Sequence, residues 1–409
     1  MGQVCPLAGF SRTAVYSSYG GSAGASVIEP IEAWTYRREP KLAPVRDALP
    51  AEKVAQLRQD PHQAIHIAFP ENVEVLPALW SRWLREGILR KEPLPALYAY
   101  SQTFYRYGEK GRSFQRIGII GRLSVEAEVL PHEAILSDRL ASIYQALRRL
   151  PVQATPIHLL SGGAWEKILP LLQSYLVCPL FAYGSEDGVM HRWTPIHHLG
   201  HQALIREAIG AGPFYIADGH HRWWAVKKAG LTHLLVYLTP AGDDSLIIVP
   251  THRLLRTRAE IQPLLEPYFV LRRSAARVPL WQEVQGLRHA IGVVTPTGEV
   301  WTARLKPAYW SALEEQPLVA RLHQWVLDKV SGELIFSREP APLIQAALAG
   351  EGWAFILPEL PLRYVERAAR EGWTLPPKTT YFFPKVLSGL CFYYEGDTGV
   401  SLAAPASAS

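Results

Sequence analysis

Asp218-Gly219-His220-His221-Arg222 stands between the apolar run Phe214-Tyr215-Ile216-Ala217 and the segment Trp223-Trp224-Ala225-Val226-Lys227 that reaches Gly230. A carboxylate, two imidazoles and a guanidinium so close together serve packing poorly. They serve anion binding well. The run before them reads as a buried strand, and the segment after them as a short helix stopped by glycine. A strand that enters a helix through a glycine turn leaves the first helical amides unpaired at the positive end of the helix dipole. Phosphate suits such a terminus, and Arg222 adds a two-donor grip on phosphate oxygens. The corner is therefore expected to bind phosphate, as part of a nucleotide. A plainer reading stands beside it: Asp218 as an N-cap, Gly219 as a turn residue, and the next three as a solvated first turn.

Other polar groups follow the same logic with less force. Pro250-Thr251-His252-Arg253 comes at the end of the apolar run Leu246 to Val249, where ligand sites in α/β sheets tend to lie. Pro377 to Lys385 brackets hydroxyls and aromatics between Lys378 and Lys385, which suits a surface turn or a second contribution to an anion site. His132-Glu133 is expected to open a helix, where the dipole favours a carboxylate in any case. The spacing does not match the zinc-protease pattern, because Leu136 and Ser137 stand where a second histidine would be needed. His197, His198 and His201 cluster without a carboxylate or cysteine at useful spacing, so a structural or surface role is expected for them, with metal binding the lesser alternative.

These groups need elements to hold them. Ile28 to Tyr36, Ala64 to Phe69, Leu97 to Arg106, Ile117 to Val125 and Pro156 to Leu160 read as strands, the third and fourth as a hairpin. Ala51 to Arg58, Pro77 to Glu86 and the segment carrying Leu136, Leu140, Ile143 and Leu147 read as helices. After the corner, Leu234 to Leu238 and Leu246 to Val249 are strands. Beyond about Arg256 the texture becomes a smaller α/β segment. There Ile291 to Val294 and Val300 to Leu305 form a hairpin, and Leu318 to Val330 and Tyr364 to Ala369 are helical. The expected organisation is a tail over 1–27, a catalytic domain over 28–256, a C-terminal α/β domain over 257–401 and a tail over 402–409.

The whole chain sets bounds on function. At 409 residues it exceeds one ordinary core, and 48% hydrophobic against 19% charged residues is a globular profile. A net charge of +5 with no dense basic run makes a nucleic-acid partner unexpected. Cys5, Cys178 and Cys391 lack paired spacing, which excludes a disulfide framework and a cysteine zinc site and fits a reducing cytoplasm. No apolar run approaches membrane-spanning length, and the first residues do not make a secretory signal. A Gly-x-x-x-x-Gly-Lys-[Ser/Thr] loop is absent, so the common P-loop route to phosphoryl transfer is excluded.

Several pieces in order resemble the domain of unknown function 1015 family of bacteria and archaea. They are Gly118-Ile119-Ile120-Gly121, Pro131-His132-Glu133, Asp138-Arg139, Ile216 to Arg222, Pro250 to Arg253, and Lys378 to Phe382 with Pro384-Lys385. That family is similar in turn to free serine kinases of the ParB/sulfiredoxin superfamily. The resemblance implies a mixed α+β fold with a ParB/sulfiredoxin-like nucleotide-binding core, large insertions and a smaller C-terminal segment. It implies phosphate binding by Gly219, His220, His221 and Arg222, with His252, Arg253, Lys378 and Lys385 as further contributors. Asp218 would orient Mg²⁺ or the acceptor hydroxyl, and Asp47 or Glu133 would take the hydroxyl proton. His220 stands where sulfiredoxin carries its nucleophilic Cys, so sulfiredoxin chemistry is not expected. Two departures bear on activity: the family's early Pro-Pro-Tyr-Asp-Val loop survives only as Pro44 and Asp47, and Ile135 replaces a threonine.

The expected function is nucleotide-dependent phosphoryl transfer, from ATP or ADP with Mg²⁺, to the hydroxyl of a small serine-like metabolite. The alternatives are a ParB-like nucleotide-binding protein without small-molecule turnover and a non-catalytic family member.

Overall fold

The computed structural model describes residues 27–45, 49–105, 111–133, 135–274, 279–285 and 287–396. By contacts the chain divides into two units: Met1–Pro131 with Ile135–Ser245 and Pro384–Ser409, and His132–Ala134 with Leu246–Phe383.

The first unit is built on an eight-stranded mixed sheet. Its strands run, edge to edge, Val129–Leu130, Phe214–Asp218, Ile157–Ser161, His233–Pro240, Ser113–Ser124, Leu97–Tyr105, Met190–Ile196 and Phe181–Gly184. Leu97–Tyr105 and Ser113–Ser124 pair antiparallel, as the alternating pattern predicts. Residues of successive parity face opposite cores. On one face Ala99, Ile119, Leu159, Ile216 and Val236 pack with Leu172 and Leu176 of the helix Leu169–Val177, Ile205 of Leu199–Ile209, and Ala225 and Val226 of His220–Ala229. On the other, Tyr98, Tyr100, Ile120 and Tyr237 meet Ile31, Leu42, Val386, Leu390 and Cys391. At Gly118 two strands approach closely: a Cβ there would lie 2.1 Å from the Leu238 carbonyl oxygen. That close approach accounts for the first glycine of Gly118-Ile119-Ile120-Gly121 without invoking a ligand.

Two expectations fail locally. Ala64 to Phe69 is not a strand but carries the short helix Ile65–Ala68. Its amides close on their own turn, Ala68 N–H to Ala64 O at 2.9 Å and Phe69 N–H to Ile65 O at 2.9 Å. Ile65 and Ile67 both sink among Trp80, Trp83 and Phe392, so burial of alternate residues does not need a sheet. The helix after Pro131 starts only at Ser137, leaving His132 and Glu133 outside it.

The second unit has a six-stranded sheet in the order Phe269–Arg273, Val300–Leu305, Ala290–Val294, Trp353–Ile356, His252–Arg256 and Glu333–Ser337, every pairing antiparallel. The expected hairpin of 291–294 with 300–305 is present. The helices Leu318–Trp325, Pro340–Leu348 and Leu362–Glu371 belong to the same unit. The division thus falls after Ser245 rather than at 256, because His252–Arg256 pairs inside this sheet, and residues from Pro384 onward count with the first unit. Leu246 to Val249 contributes only Ile247–Ile248, paired with Phe382–Phe383. No helix among the described residues is long and apolar enough to cross a membrane.

Candidate functional site: a cation-flanked corner

The strand Phe214–Asp218 passes into the ten-residue helix His220–Ala229 through Gly219, as its residues predict. Gly219 has φ 107°, a region other residues avoid, and a Cβ on it would sit 2.8 Å from Arg222 Nη2. Glycine is needed there twice over, for the turn and for the space the guanidinium fills. No side chain caps the helix, and Gly230 ends it in the left-handed region. Asp218 is therefore not an N-cap.

Asp218 is held between two cations. Arg222 Nη2 donates to its Oδ2 at 2.8 Å, and Lys385 Nζ donates to its Oδ1. Burial pushes the Asp218 carboxyl up, but Lys385 and then Arg222 outweigh burial and hold it well below the usual carboxylate range. The Lys385 side chain is only 9% exposed, whereas Arg222 and Asp218 keep 18% and 21%. Arg222 Nε is buried and has no hydrogen-bond partner among the described residues. His221 turns its Nε2 to accept from the Leu136 amide at 2.8 Å, which fixes the chain entering the helix Ser137–Arg149. His220 is buried, and burial lowers its pKa to about 3, so it is neutral at physiological pH. Two positive side chains thus face one negative one, beside an uncapped helix terminus. The balance favours an incoming anion.

Residues the sequence did not single out hold this arrangement. Gln102 Nε2 donates to the Lys385 carbonyl at 2.9 Å, and Arg116 Nη1 to the Pro384 carbonyl at 3.1 Å. Arg116 is fully buried, also donates to Ser245 O, and has its pKa lowered by burial. His158, in register with Asp218 across a bulge, lies with Nε2 2.8 Å from Thr239 Oγ1. Burial first, then the charge on Arg116, drives its pKa well down. Arg116 sits in the mixed polar and apolar stretch Ser113-Phe114-Gln115-Arg116, where nothing marks it as buried. Only the tertiary fold shows that it anchors Pro384-Lys385.

The remaining candidates lie in the second unit. His252 and Arg253 are buried within the strand His252–Arg256, at its start rather than at the end of the preceding strand. His252 Nδ1 accepts from the Leu357 amide at 3.0 Å, and burial lowers its pKa to about 4. Arg253 donates to Thr251 O, to Pro377 O at 3.3 Å and to Thr379 Oγ1 at 3.4 Å, and burial lowers its pKa to about 9. Glu133 bridges to Leu375, and its two oxygens accept from the Lys378 amide and Thr380 Oγ1, each at 2.8 Å. Helix dipole therefore does not explain Glu133; loop pairing does. Lys378 has φ 58°, a rare value for a side-chain-bearing residue. Asp47 lies outside the described residues.

Among the described residues no group of three or more His, Cys, Asp or Glu is placed to hold a metal ion. His198 caps the helix Leu199–Ile209 by accepting from the His201 amide, and His201 Nδ1 lies 2.8 Å from the Tyr175 hydroxyl, which gives both rings structural work. Asp218 presents each oxygen to a cation, so a resident divalent ion does not fit there without displacing Lys385 or Arg222.

Fold and corner together define a mixed α/β chain whose large sheet delivers a strand, a glycine and a helix start to a pair of cations. The chain belongs to the family described as Protein of unknown function (DUF1015), whose model matches residues 28–328. That match stops short of Lys385, which the structure pairs with Asp218. No curated protein matches the chain in sequence. Among solved structures it is similar to a free serine kinase in complex with AMP, at 14% identity and TM-score 0.38 over 66% of this chain and 92% of that one. It is also similar to a conserved hypothetical protein from Pyrococcus furiosus, at 12% identity and TM-score 0.35 over 66% of this chain and 94% of the other. A third similarity is to SbnI with C-terminal truncation from Staphylococcus aureus, at 13% identity and TM-score 0.35 over 68% and 83%. Likeness at this level assigns no activity to this chain.

Proposed function

We propose that the corner at Gly219 binds the phosphates of ATP or ADP and that the chain transfers a phosphoryl group to the hydroxyl of a small metabolite, on a ParB/sulfiredoxin-like core. One observation carries the reading: Lys385 and Arg222 share a single carboxylate beside an uncapped helix start. A phosphate arriving there meets the positive end of a helix, a buried ammonium and a guanidinium with an unused Nε–H. Phosphoryl transfer asks mainly for position and charge neutralisation, which such a site supplies. In the reaction the acceptor oxygen bonds to the terminal phosphorus, the bridging P–O bond breaks, and the nucleotide leaves one phosphate shorter. The hydroxyl proton passes to a carboxylate, for which Asp47 is the proposed base. Mg²⁺, where it acts, enters with the nucleotide as part of the substrate. His220 and His221 are proposed as supporting residues, His221 by fixing the Leu136 backbone.

A second reading is favoured by the carboxylates themselves. Both oxygens of Asp218 and both of Glu133 are already engaged, which suits nucleotide binding without turnover, or a non-catalytic family member. Transfer of labelled phosphate from ATP or ADP to a panel of amino acids and small alcohols separates the readings. Labelled product supports transfer; nucleotide binding by calorimetry without product supports the second reading; neither removes both.

A further inference from the structure

The second unit holds a cleft of about 500 Å³, counting the solvent at its open mouth, and none of its lining residues belongs to the corner. Three arginines from separate parts of the chain, Arg253, Arg288 and Arg363, meet in its lining. Arg288 and Arg363 are exposed, whereas Arg253 is buried at 1% exposure. Among the described residues no carboxylate lies within ion-pair distance of Arg253. It donates instead to uncharged groups: Thr251 O, Pro377 O, Thr379 Oγ1 and, at 3.5 Å, His323 Nε2. His323 Nδ1 lies 3.1 Å from Asp328 Oδ1, and a proton held there leaves Nε2 as the acceptor that orients the guanidinium. Glu133 is the carboxylate whose charge reaches Arg253, but both its oxygens are bonded to the Lys378 amide and Thr380 Oγ1. Burial lowers the Arg253 pKa only to about 9, so the side chain stays charged.

An ion held out of water without a counter-ion is costly, and an anion in the cleft would offset that cost. Stapling the loop at 377–379 accounts for Arg253 itself. It does not account for two further arginines on the same cavity. Counted together, the three face one acidic residue of the lining, Glu359, which leaves two positive charges. A dianion balances them. The planar fork of arginine matches phosphate and carboxylate oxygens alike, and the aliphatic wall, with Pro250, Leu318 and Leu357, calls for a carbon body. We infer that this cleft binds a small organic dianion, a phosphate monoester or a dicarboxylate, with its oxygens on Arg253, Arg288 and Arg363 and its body on Pro250 and Leu357. The inference is independent of the corner at Gly219.

The test uses the full chain carrying Arg222→Ala, which weakens the corner, and titrates glycerol phosphate, succinate and acetate at low salt by calorimetry. The expected result is saturable binding of at least one of the two dianions, about tenfold or more tighter than acetate. That binding should weaken about tenfold or more when Arg288→Ala or Arg363→Ala is added. Both side chains are exposed, so unchanged melting temperatures should show that these variants remain folded. Arg253→Gln should abolish binding; should it fail to fold, the two exposed positions carry the test. The dianion that binds more tightly identifies the head group. The proposal is overturned if neither dianion saturates, if acetate binds as tightly, or if affinity is unchanged in R222A/R288A/R363A. Nucleotide binding is measured separately on the unsubstituted chain, so failure at the cleft and failure at the corner are told apart.

Discussion

Asp218 is shared by Lys385 and Arg222, and a ligand phosphate would enter as a second anion for the same cations. Removing the carboxylate leaves two partly desolvated positive charges unbalanced. Asp218→Asn should therefore cost about 3 kcal/mol of stability in urea unfolding, and added inorganic phosphate should restore part of it. Indifference to phosphate would mean that the cations do not face an accessible anion site. Lys385→Ala or Arg222→Ala should instead weaken nucleotide binding about tenfold or more in calorimetry. Asp218, Gly219, His220, His221 and Arg222 were legible in the sequence because they are contiguous. Arg116 and Gln102, which hold the backbone at 384–385, were not, since nothing local separates a buried guanidinium from a solvated one.

At the level of elements, the corner was legible because strand, glycine and helix each carry a local signature: a buried apolar run, φ above zero at Gly219, and a glycine stop at Gly230. Gly219→Ala forces a side chain into the left-handed region and into the Arg222 guanidinium. It should cost about 1–3 kcal/mol and loosen nucleotide binding in step, read by urea unfolding and calorimetry on one preparation. Unchanged binding would separate the turn from the site. Where local signals misled, tertiary contacts decided. Ile65 and Ile67 alternate like strand residues yet close a helical turn against Trp80 and Trp83. Glu133 stands where a helix start was expected, but pairing with Leu375 and Lys378 draws it out of the helix.

At the scale of the whole molecule, buried histidines set the acid limit. His158 is held well below its ordinary value, His191 and His220 titrate at about 3 and His252 at about 4, with burial the first cause in each. Below about pH 6.5 the unfolded chain takes up protons at these rings that the folded chain refuses, at up to about 1.4 kcal/mol per pH unit for each. Their contribution is complete above that pH and is lost as pH falls toward their folded values. The depressed Asp218 carboxyl adds a loss that begins only below about pH 4. Denaturant midpoints should fall steadily between pH 6.5 and 4, and a flat profile would contradict the neutral buried rings. With a net charge of only +5, mobility-shift assays at about 0.15 M salt should show no retention of DNA. The mixed α/β character of the chain was legible in alternating strand and helix patterns. The division at Ser245 was not, because membership of His252–Arg256 in the second sheet rests on partners some 80 to 100 residues away.

The most direct test of the central claim is a crystal structure of the full chain soaked with a non-hydrolysable ATP analogue. The predicted result is phosphate oxygens within hydrogen-bond distance of the amides after Gly219, of Arg222 and of Lys385. Phosphates bound elsewhere, or an untouched Asp218–Lys385–Arg222 cluster at saturating nucleotide, would contradict it.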